Sequence, residues 1–429
     1  MKYYFWIIIG IVIFTACQTD KTPISSLQIQ NKQALDSILN AYVDNQHYPF
    51  LYARLEDWDG KVLYEHGVTN NELYPEVEVN GNTWFRIWSM SKIVTISLAL
   101  DLIEEGILKM NDLVTKYIPE FENLQVAIGA DGTPLPDFEW GNRDNVCPIQ
   151  YVPVDSIMTI SDLINHKAGF YYATTGFACL DSIIAEQDVA TAKNTDEFLV
   201  RMAKLPLIQQ PGYEHFYGIN TTILGMVAER ATGKSLKQLV MERVTTPMKI
   251  KGLQYGLPKG VTLLPRTSGK DSILRLAHDG ELDIFGEHVP DYEPTHALYL
   301  GGEGMLGTAD GYADFARMLL QRGKLNGYRF LDEATIVELS SPQTQLDNPW
   351  GFNGYNLWIT GDTLKTLKFG EGGLWTGGGY EGTHFWIDTK RRYVGVIMSQ
   401  MSFMQLPNNV GINDAFKGEL YQQFWEEEE

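Results

Sequence analysis

Apolar and polar positions recur with different periods along this chain, and the change of period divides it into three parts. Near both ends, short apolar runs bounded by Gly, Asp and Asn predict β-strands. Between about residues 159 and 249, apolar positions recur every three or four residues, which predicts helices. Residues 93–103 are apolar on nearly every side before Gly106 ends the run. A helix without a polar stripe is buried, so this segment is predicted to form a central, buried helix.

The strands at the two ends are predicted to belong to one sheet domain. Residues 50–55 and 61–64 flank an Asp-Gly turn and predict a hairpin. The last third of the chain predicts further strands at residues 355–359, 384–388 and 393–398. Residues 30–43 are predicted to form an amphipathic helix and residues 109–121 a second helix. Residues 123–154 are predicted to form a long surface loop.

The first residues have the pattern of an export signal. One positive charge precedes an apolar run that is too short to span a bilayer, so residues 1–16 are predicted to be a signal peptide. Cys17 after Thr15 and Ala16 resembles the bacterial lipoprotein signal, in which this cysteine carries the lipid. Residues 17–29 are then a polar tether. The expected protein is an exported lipoprotein, held by Cys17 on the periplasmic side of a membrane or at the cell surface. An ordinary cleaved signal and an N-terminal anchor helix are the alternatives.

Composition excludes several classes of partner. The formal net charge of −20 opposes binding to phosphate backbones, so no nucleic-acid partner is expected. The eight histidines lack the spacing of a metal site, so no metal and no cofactor are predicted. Cys147 and Cys179 form a disulfide or stay as two buried thiols, and their spacing does not decide between these possibilities.

Ser89 and Lys92 are the leading candidates for chemistry. They form a Ser-x-x-Lys sequence at the start of the predicted buried helix. Residues three apart lie on one helix face, so the lysine amine is expected within reach of the serine hydroxyl. A serine needs a neighbouring base to act as a nucleophile. Lysine is that base only when its pKa is lowered, and the apolar residues after Lys92 are expected to lower it.

Five segments in order resemble landmarks of the serine β-lactamase superfamily, closest to its class C-like branch of β-lactamases, D-Ala-D-Ala carboxypeptidases and carboxylesterases. They are residues 86–92, residues 159–169 with His166-x-x-Gly169, residues 211–225, residues 301–304 and residues 382–388. The resemblance covers nearly the whole mature chain. It implies an α/β domain, an antiparallel sheet flanked by helices, with an inserted mainly helical (all-α) domain. The implied boundaries are 30–108 and 296–425 for the sheet domain and 109–295 for the helical domain.

The resemblance also implies two further site elements. Tyr217 matches the tyrosine of the second motif, which shares proton transfer with the lysine, while the usual asparagine is displaced to Asn220. The third motif has two competing alignments. In one, Trp375-Thr376-Gly377 is the motif and the Gly378 N–H joins the Ser89 N–H in the oxyanion hole. In the other, Gly377-Gly378-Gly379 is the motif and the donor is the Tyr380 N–H. Neither alignment has a lysine at the first position.

These features predict an exported serine hydrolase that forms an acyl-enzyme on a small-molecule ester or amide, or on a cell-wall-derived substrate. The missing Asn and Lys favour a carboxylesterase-like enzyme. The alternatives are a β-lactamase or D-Ala-D-Ala carboxypeptidase, an amidase for D-amino-acid derivatives, and a non-catalytic ligand-binding lipoprotein.

Overall fold

The structure is a computed structural model of the 429-residue chain. It describes residues 27–135, 147–281, 284–285, 290–293, 295–346, 351–402, 406 and 409–428. The predicted signal peptide, Cys17 and most of the predicted tether lie outside these ranges.

An eight-stranded antiparallel sheet is the largest strand assembly, and it joins the two ends of the described chain. Its strands are β1 (Phe50–Asp57), β2 (Val62–Thr69), β12 (Thr344–Gln345), β13 (Phe352–Asn353), β14 (Trp358–Ile359), β15 (Trp375–Gly378), β16 (His384–Asp388) and β17 (Tyr393–Met398). The strand order across the sheet is β12-β13-β14-β15-β16-β17-β1-β2. The register at the centre pairs Tyr52 of β1 with Met398 of β17.

The remaining strands form small sheets. They are β3 (Phe85–Arg86), β4 (Gln125–Gly129), β5 (Ile149–Pro153), β6 (Leu253–Tyr255), β7 (Thr267–Ser268), β8 (Arg275–Leu276), β9 (Met305–Gly307), β10 (Lys324–Leu325), β11 (Tyr328–Arg329) and β18 (Met401–Ser402). Among them, β9 pairs with both β3 and β6. This pairing fixes the turn before β9 next to the segment that follows β3.

Helices cover both faces of the large sheet and fill the middle of the chain. They are α1 (Lys32–Asp44), α2 (Ser91–Glu104), α3 (Ile160–Ile164), α4 (Ala178–Gln187), α5 (Thr195–Met202), α6 (Asn220–Thr232), α7 (Leu236–Leu239), α8 (Thr246–Met248), α9 (Ala309–Leu320), α10 (Glu333–Leu339), α11 (Thr363–Leu367) and α12 (Ile412–Glu428), with a π-turn at Val240–Thr245 between α7 and α8.

Two apolar cores hold these layers together. α1 and α12 pack on one face of the sheet, around Leu39, Trp386 and Phe416. α9 packs on the other face, in the larger core that also contains α2 and α6. α2 is buried along almost its whole length, as its all-apolar sequence predicts. An antiparallel sheet flanked by helices, together with a helical part, confirms the predicted fold class. The domain boundaries at residues 108 and 295 stay predictions.

Two local expectations differ from the structure, and one question that the sequence left open is decided. Residues 109–121 form two 3₁₀ turns, Val114–Lys116 and Pro119–Phe121, because Pro119 interrupts the helical hydrogen bonding. Residues 123–154, predicted as a long surface loop, contain the β4–β5 hairpin. Cys147 and Cys179, whose pairing the sequence left open, form a disulfide with their Cα atoms 6.1 Å apart. Within the described ranges, no helix is both long and apolar enough to cross a membrane.

Candidate active site

Ser89 lies in a short, sharply turned segment before the buried helix. The 3₁₀ turn Trp88–Met90 carries it, and α2 begins two residues later at Ser91. Trp88 has φ of 45°, a left-handed conformation that is unfavourable for a bulky residue. Its indole N–H donates to Glu381 Oε2 at 2.8 Å, which ties the turn to the loop after β15. Ser89 itself is half-buried.

Lys92 lies directly behind Ser89 and is fully buried. Its Nζ is 3.1 Å from Ser89 Oγ, as the i, i+3 spacing predicts. Three more oxygens surround it: the Tyr172 hydroxyl at 2.7 Å, the Gly302 carbonyl at 3.1 Å and Glu303 Oε1 at 3.1 Å. The lysine is therefore placed between the candidate nucleophile and a buried carboxylate.

The carboxylate of Glu303 is held by its own hydrogen bonds. Glu303 is completely buried in the turn before β9. The Tyr172 hydroxyl donates a short hydrogen bond to its Oε1. Thr222, on α6, donates to Oε2 at 2.5 Å and accepts from the Gly302 N–H at 2.9 Å. Both carboxylate oxygens are thus hydrogen-bonded, as a buried charged group requires.

The Glu303 carboxylate makes the charge of Lys92 different from the charge that the sequence predicts. Burial alone lowers the pKa of the Lys92 ammonium, as the apolar helix suggested. The interactions of Lys92 with Glu303 and, next, with Tyr217 together outweigh burial, and the Lys92 pKa is raised above its ordinary value. The resting lysine is therefore an ammonium ion, and the prediction of a lysine kept neutral by its apolar surroundings is wrong. Burial, followed by Glu303, raises the pKa of Tyr172 well above its ordinary value, so Tyr172 stays a neutral phenol.

The structure also brings Tyr217 into this site. Its ring centroid is 5.0 Å from Lys92 Nζ, and its ring stacks on His166 with the centroids 5.1 Å apart. Tyr217, like Ser89, is half-buried. His166 is fully buried, and burial together with His215 and Lys92 lowers its pKa well below 6.5. The ring behind Tyr217 is therefore a neutral imidazole, which supports it without adding charge.

The third motif runs along β15 and passes close to the Ser89 turn. A Cβ atom on Gly379 would lie 2.5 Å from the Ile87 carbonyl oxygen, so only glycine allows this approach. The Gly379 N–H itself donates to the Thr383 carbonyl at 2.8 Å. The two predicted oxyanion donors, Gly378 and Tyr380, are its neighbours on either side. Trp375, at the start of β15, packs against the larger core.

Two polar residues near the motifs point away from the cleft. Asn220 is buried at the start of α6, where its side-chain amide lies 3.4 Å from the Phe170 carbonyl. Lys365 lies over the Trp425 ring, 5.0 Å from its centroid. These two side chains therefore do not supply the amide-binding and carboxylate-binding groups that the second and third motifs lack. Among the residues that the structure describes, no group of three or more His, Cys, Asp or Glu side chains could hold a metal ion.

Sequence reasoning missed two residues of this site, Tyr172 and Glu303. They are 80 and 211 positions from Lys92 in sequence, so no local spacing connects them to it. Glu303 did stand inside one of the five landmark segments, and a carboxylate flanked by glycines in a predicted turn was its only signal. Tyr172 follows the His166-x-x-Gly169 segment without any distinguishing pattern.

Comparison with known proteins agrees with this architecture. The beta-lactamase family model matches residues 58–405. Protein Rv1367c from Mycobacterium tuberculosis is 30% identical over 331 residues, covering 74% of this chain and 76% of the relative. Esterase EstB from Burkholderia gladioli is 24% identical, covering 83% of this chain and 88% of its own. The solved structure of EstCE1, described as a hydrolase with promiscuous acyltransferase activity, superposes with a TM-score of 0.71 at 20% identity, covering 90% and 98% of the two chains.

Proposed function

The chain belongs to the beta-lactamase family and is a serine hydrolase, and from this premise we propose that it hydrolyses a small, uncharged ester through an acyl-enzyme on Ser89. One observation carries the proposal. Ser89 is half-buried, and the amine of the fully buried Lys92 lies 3.1 Å from its hydroxyl. Nucleophile and base within hydrogen-bond reach are the signature of covalent catalysis.

The proposed steps use only this chain's residues and water. Lys92, helped by the Tyr217 hydroxyl, takes the Ser89 proton while Ser89 Oγ bonds to the substrate carbonyl carbon. The Ser89 N–H and the N–H of Gly378 or Tyr380 stabilise the oxyanion, and losing one such donor costs about 10²–10³ in rate. Lys92 then passes the proton to the leaving alcohol. Water repeats the sequence and releases the acid.

Ester hydrolysis is favoured over β-lactam or peptide hydrolysis by what surrounds the cleft. A β-lactam or a peptide C-terminus carries a carboxylate, which needs a cation that the third motif lacks here. Lys365 packs on Trp425, and Asn220 is turned inward, as described above. The side of the cleft beside Tyr217 is aromatic, with the Trp358 ring 6.3 Å away. A net charge of −20 also disfavours anionic substrates.

The first test is covalent labelling. We expect a fluorophosphonate probe to add one adduct, located on Ser89 by mass spectrometry of peptides, and Ser89→Ala to remain unlabelled. Hydrolysis of a p-nitrophenyl ester should then exceed hydrolysis of a chromogenic cephalosporin in parallel assays. Faster turnover of the cephalosporin would make a β-lactamase the better assignment. Failure to label Ser89 would leave the ligand-binding alternative.

We further propose that the protein is exported and anchored by a lipid on Cys17. The pattern of residues 1–17 supports this, and so does the disulfide between Cys147 and Cys179, because such bonds persist mainly in oxidising compartments. Globomycin treatment, or Cys17→Ser, should move the protein from the membrane fraction to the soluble fraction. Unchanged partitioning would contradict lipidation.

A further inference from the structure

The surroundings of Lys92 raise a question that the proposed function leaves open. An ammonium ion cannot accept the Ser89 proton, yet the resting lysine is an ammonium ion. It has three N–H donors and four oxygen neighbours within 3.1 Å. The Gly302 carbonyl only accepts and holds one N–H in any state. The base therefore has to lose a proton to one of its other neighbours before it acts.

We propose that Glu303 holds this proton, so that the form competent for acylation is a neutral Lys92 amine beside a protonated Glu303. This inference rests on the proposed serine hydrolase function. A proton moves from Lys92 Nζ to Glu303 Oε1 across 3.1 Å. The lone pair left on Nζ faces Glu303. Rotation about the Cε–Nζ bond turns it to the Ser89 hydroxyl, 3.1 Å from Nζ, while the Gly302 carbonyl keeps one N–H.

The proton balance closes over one turnover. The Ser89 proton passes to the amine as Oγ attacks, and the resulting ammonium gives it to the leaving alcohol. In deacylation the amine takes a proton from water, and the ammonium returns one to Ser89. After product release, Glu303 returns its proton to Lys92, which restores the ion pair. Glu303 touches neither substrate nor water in these steps, so it is a positioning residue that acts through Lys92.

Tyr172 is a poor alternative as the proton holder. It is a phenol that already donates to Glu303, and its pKa is raised well above the ordinary value by burial and by Glu303. Thr222 fixes the other oxygen, Oε2, so the transferred proton goes to Oε1. The titratable groups that face the pair from the surrounding elements are His166, Tyr172, Tyr217, Tyr255 and Tyr292.

The test is the pH profile of fluorophosphonate labelling of the whole chain, measured as a rate constant by intact mass between about pH 5 and 10. In the wild type, Lys92 and Glu303 together hold one transferable proton over a range of pH. Over that range the labelling rate constant should not change with pH. In Glu303→Gln, Lys92 titrates alone. Its labelling should fall about tenfold per pH unit below a midpoint that lies about one pH unit or more above the wild-type acid limb.

Tyr172→Phe is the matched control. It removes one of the two hydroxyl donors of Glu303 but keeps the carboxylate, so its acid limb should move to higher pH by less than that of Glu303→Gln. A Glu303→Gln profile that matches the wild type after scaling would overturn the inference and leave the proposed function standing. A shift in Tyr172→Phe as large as that in Glu303→Gln would overturn it as well. Absence of labelling at every pH in the wild type would overturn both proposals.

A second pair of variants covers the case in which Glu303→Gln does not fold. Glu303→Asp keeps a carboxylate and should keep the wild-type shape of the profile. Thr222→Val removes the hydroxyl that stabilises the charged form of Glu303, so the acid limb should move to higher pH. If the limb stays in place in Thr222→Val, the carboxylate does not hold the proton and the inference is wrong.

Discussion

Two buried ion pairs in this molecule look alike and differ in what they can do. Lys92 and Glu303 are both completely buried behind Ser89. Glu56 and Arg317 join strand β1 to helix α9, and their side chains are 4% and 10% exposed. Arg317 Nε donates to Glu56 Oε2 at 2.9 Å, and Arg54 Nε donates to Oε1 at 2.6 Å. Each pair places a cation on a hydrogen-bonded carboxylate.

The difference lies in the cation and in its neighbours. An arginine does not lose its proton in a protein, so the cation of the Glu56 pair keeps its charge. A lysine can lose its proton, and Lys92 lies beside the hydroxyl of the candidate nucleophile Ser89. The comparison teaches that burial of an ion pair does not by itself identify a functional group. A transferable proton next to a nucleophile does.

The largest effect is expected from removing the Lys92 amine, which carries the transferable proton. Lys92→Met should abolish labelling of Ser89, and it should also lower the free energy of unfolding by about 3–5 kcal/mol because Glu303 is left without its partner. The double variant Lys92→Met with Glu303→Gln should regain most of that stability and stay unlabelled. Urea unfolding and mass spectrometry measure the two quantities. A labelled double variant would mean that another base serves Ser89.

Breaking the Glu56–Arg317 pair should change stability but not the labelling of Ser89. Glu56→Gln leaves Arg54 and Arg317 without the carboxylate between them, which should cost about 2–3 kcal/mol in the free energy of unfolding. Its labelling rate and pH profile should match those of the wild type. A changed profile would show that the two pairs are coupled, and the contrast drawn above would be wrong.

Replacing Arg317, the cation of the Glu56 pair, by another cation should have a smaller effect on stability. Arg317→Lys keeps the charge but loses the second arm of the guanidinium, which also contacts Asp314. We expect a loss of about 1 kcal/mol in the free energy of unfolding, measured in urea, with no change in labelling. A gain in stability would show that the geometry of the guanidinium contributes nothing here.

Acid should lower the free energy of unfolding, because buried, neutral histidines lie on the side of the molecule that contains Lys92. Burial lowers the pKa of His215 to about 4 and that of His166 well below 6.5. The unfolded chain therefore binds more protons than the folded chain below pH 6.5, and stability falls as the pH drops from there towards 4. His215→Asn should reduce this slope by up to about 1 kcal/mol per pH unit. Urea unfolding at several pH values measures it, and an unchanged slope in His215→Asn would contradict the assignment.

Sequence alone predicted the parts of the site that depend on local geometry. The i, i+3 spacing placed Lys92 beside Ser89, and the apolar run after it predicted a buried helix. The sign of the Lys92 pKa shift was out of reach, because it depends on a carboxylate 211 positions away. Whether an apolar segment isolates a charge or pairs it is decided by tertiary contacts. The same holds for the disulfide, since its cysteines are separated by 32 positions and by a hairpin strand.

The left-handed Trp88 has a further consequence. Its ring packs edge-on against Tyr380, 5.4 Å away, and its indole bonds to Glu381, so the loop after β15 clamps the residue just before Ser89. Under the proposed mechanism, the nucleophile Ser89 and the candidate oxyanion donor Tyr380 are therefore held by one set of contacts. A substrate that displaced this loop would also displace Ser89, so we expect narrow acyl groups, which leave the loop in place, to react faster than wide ones.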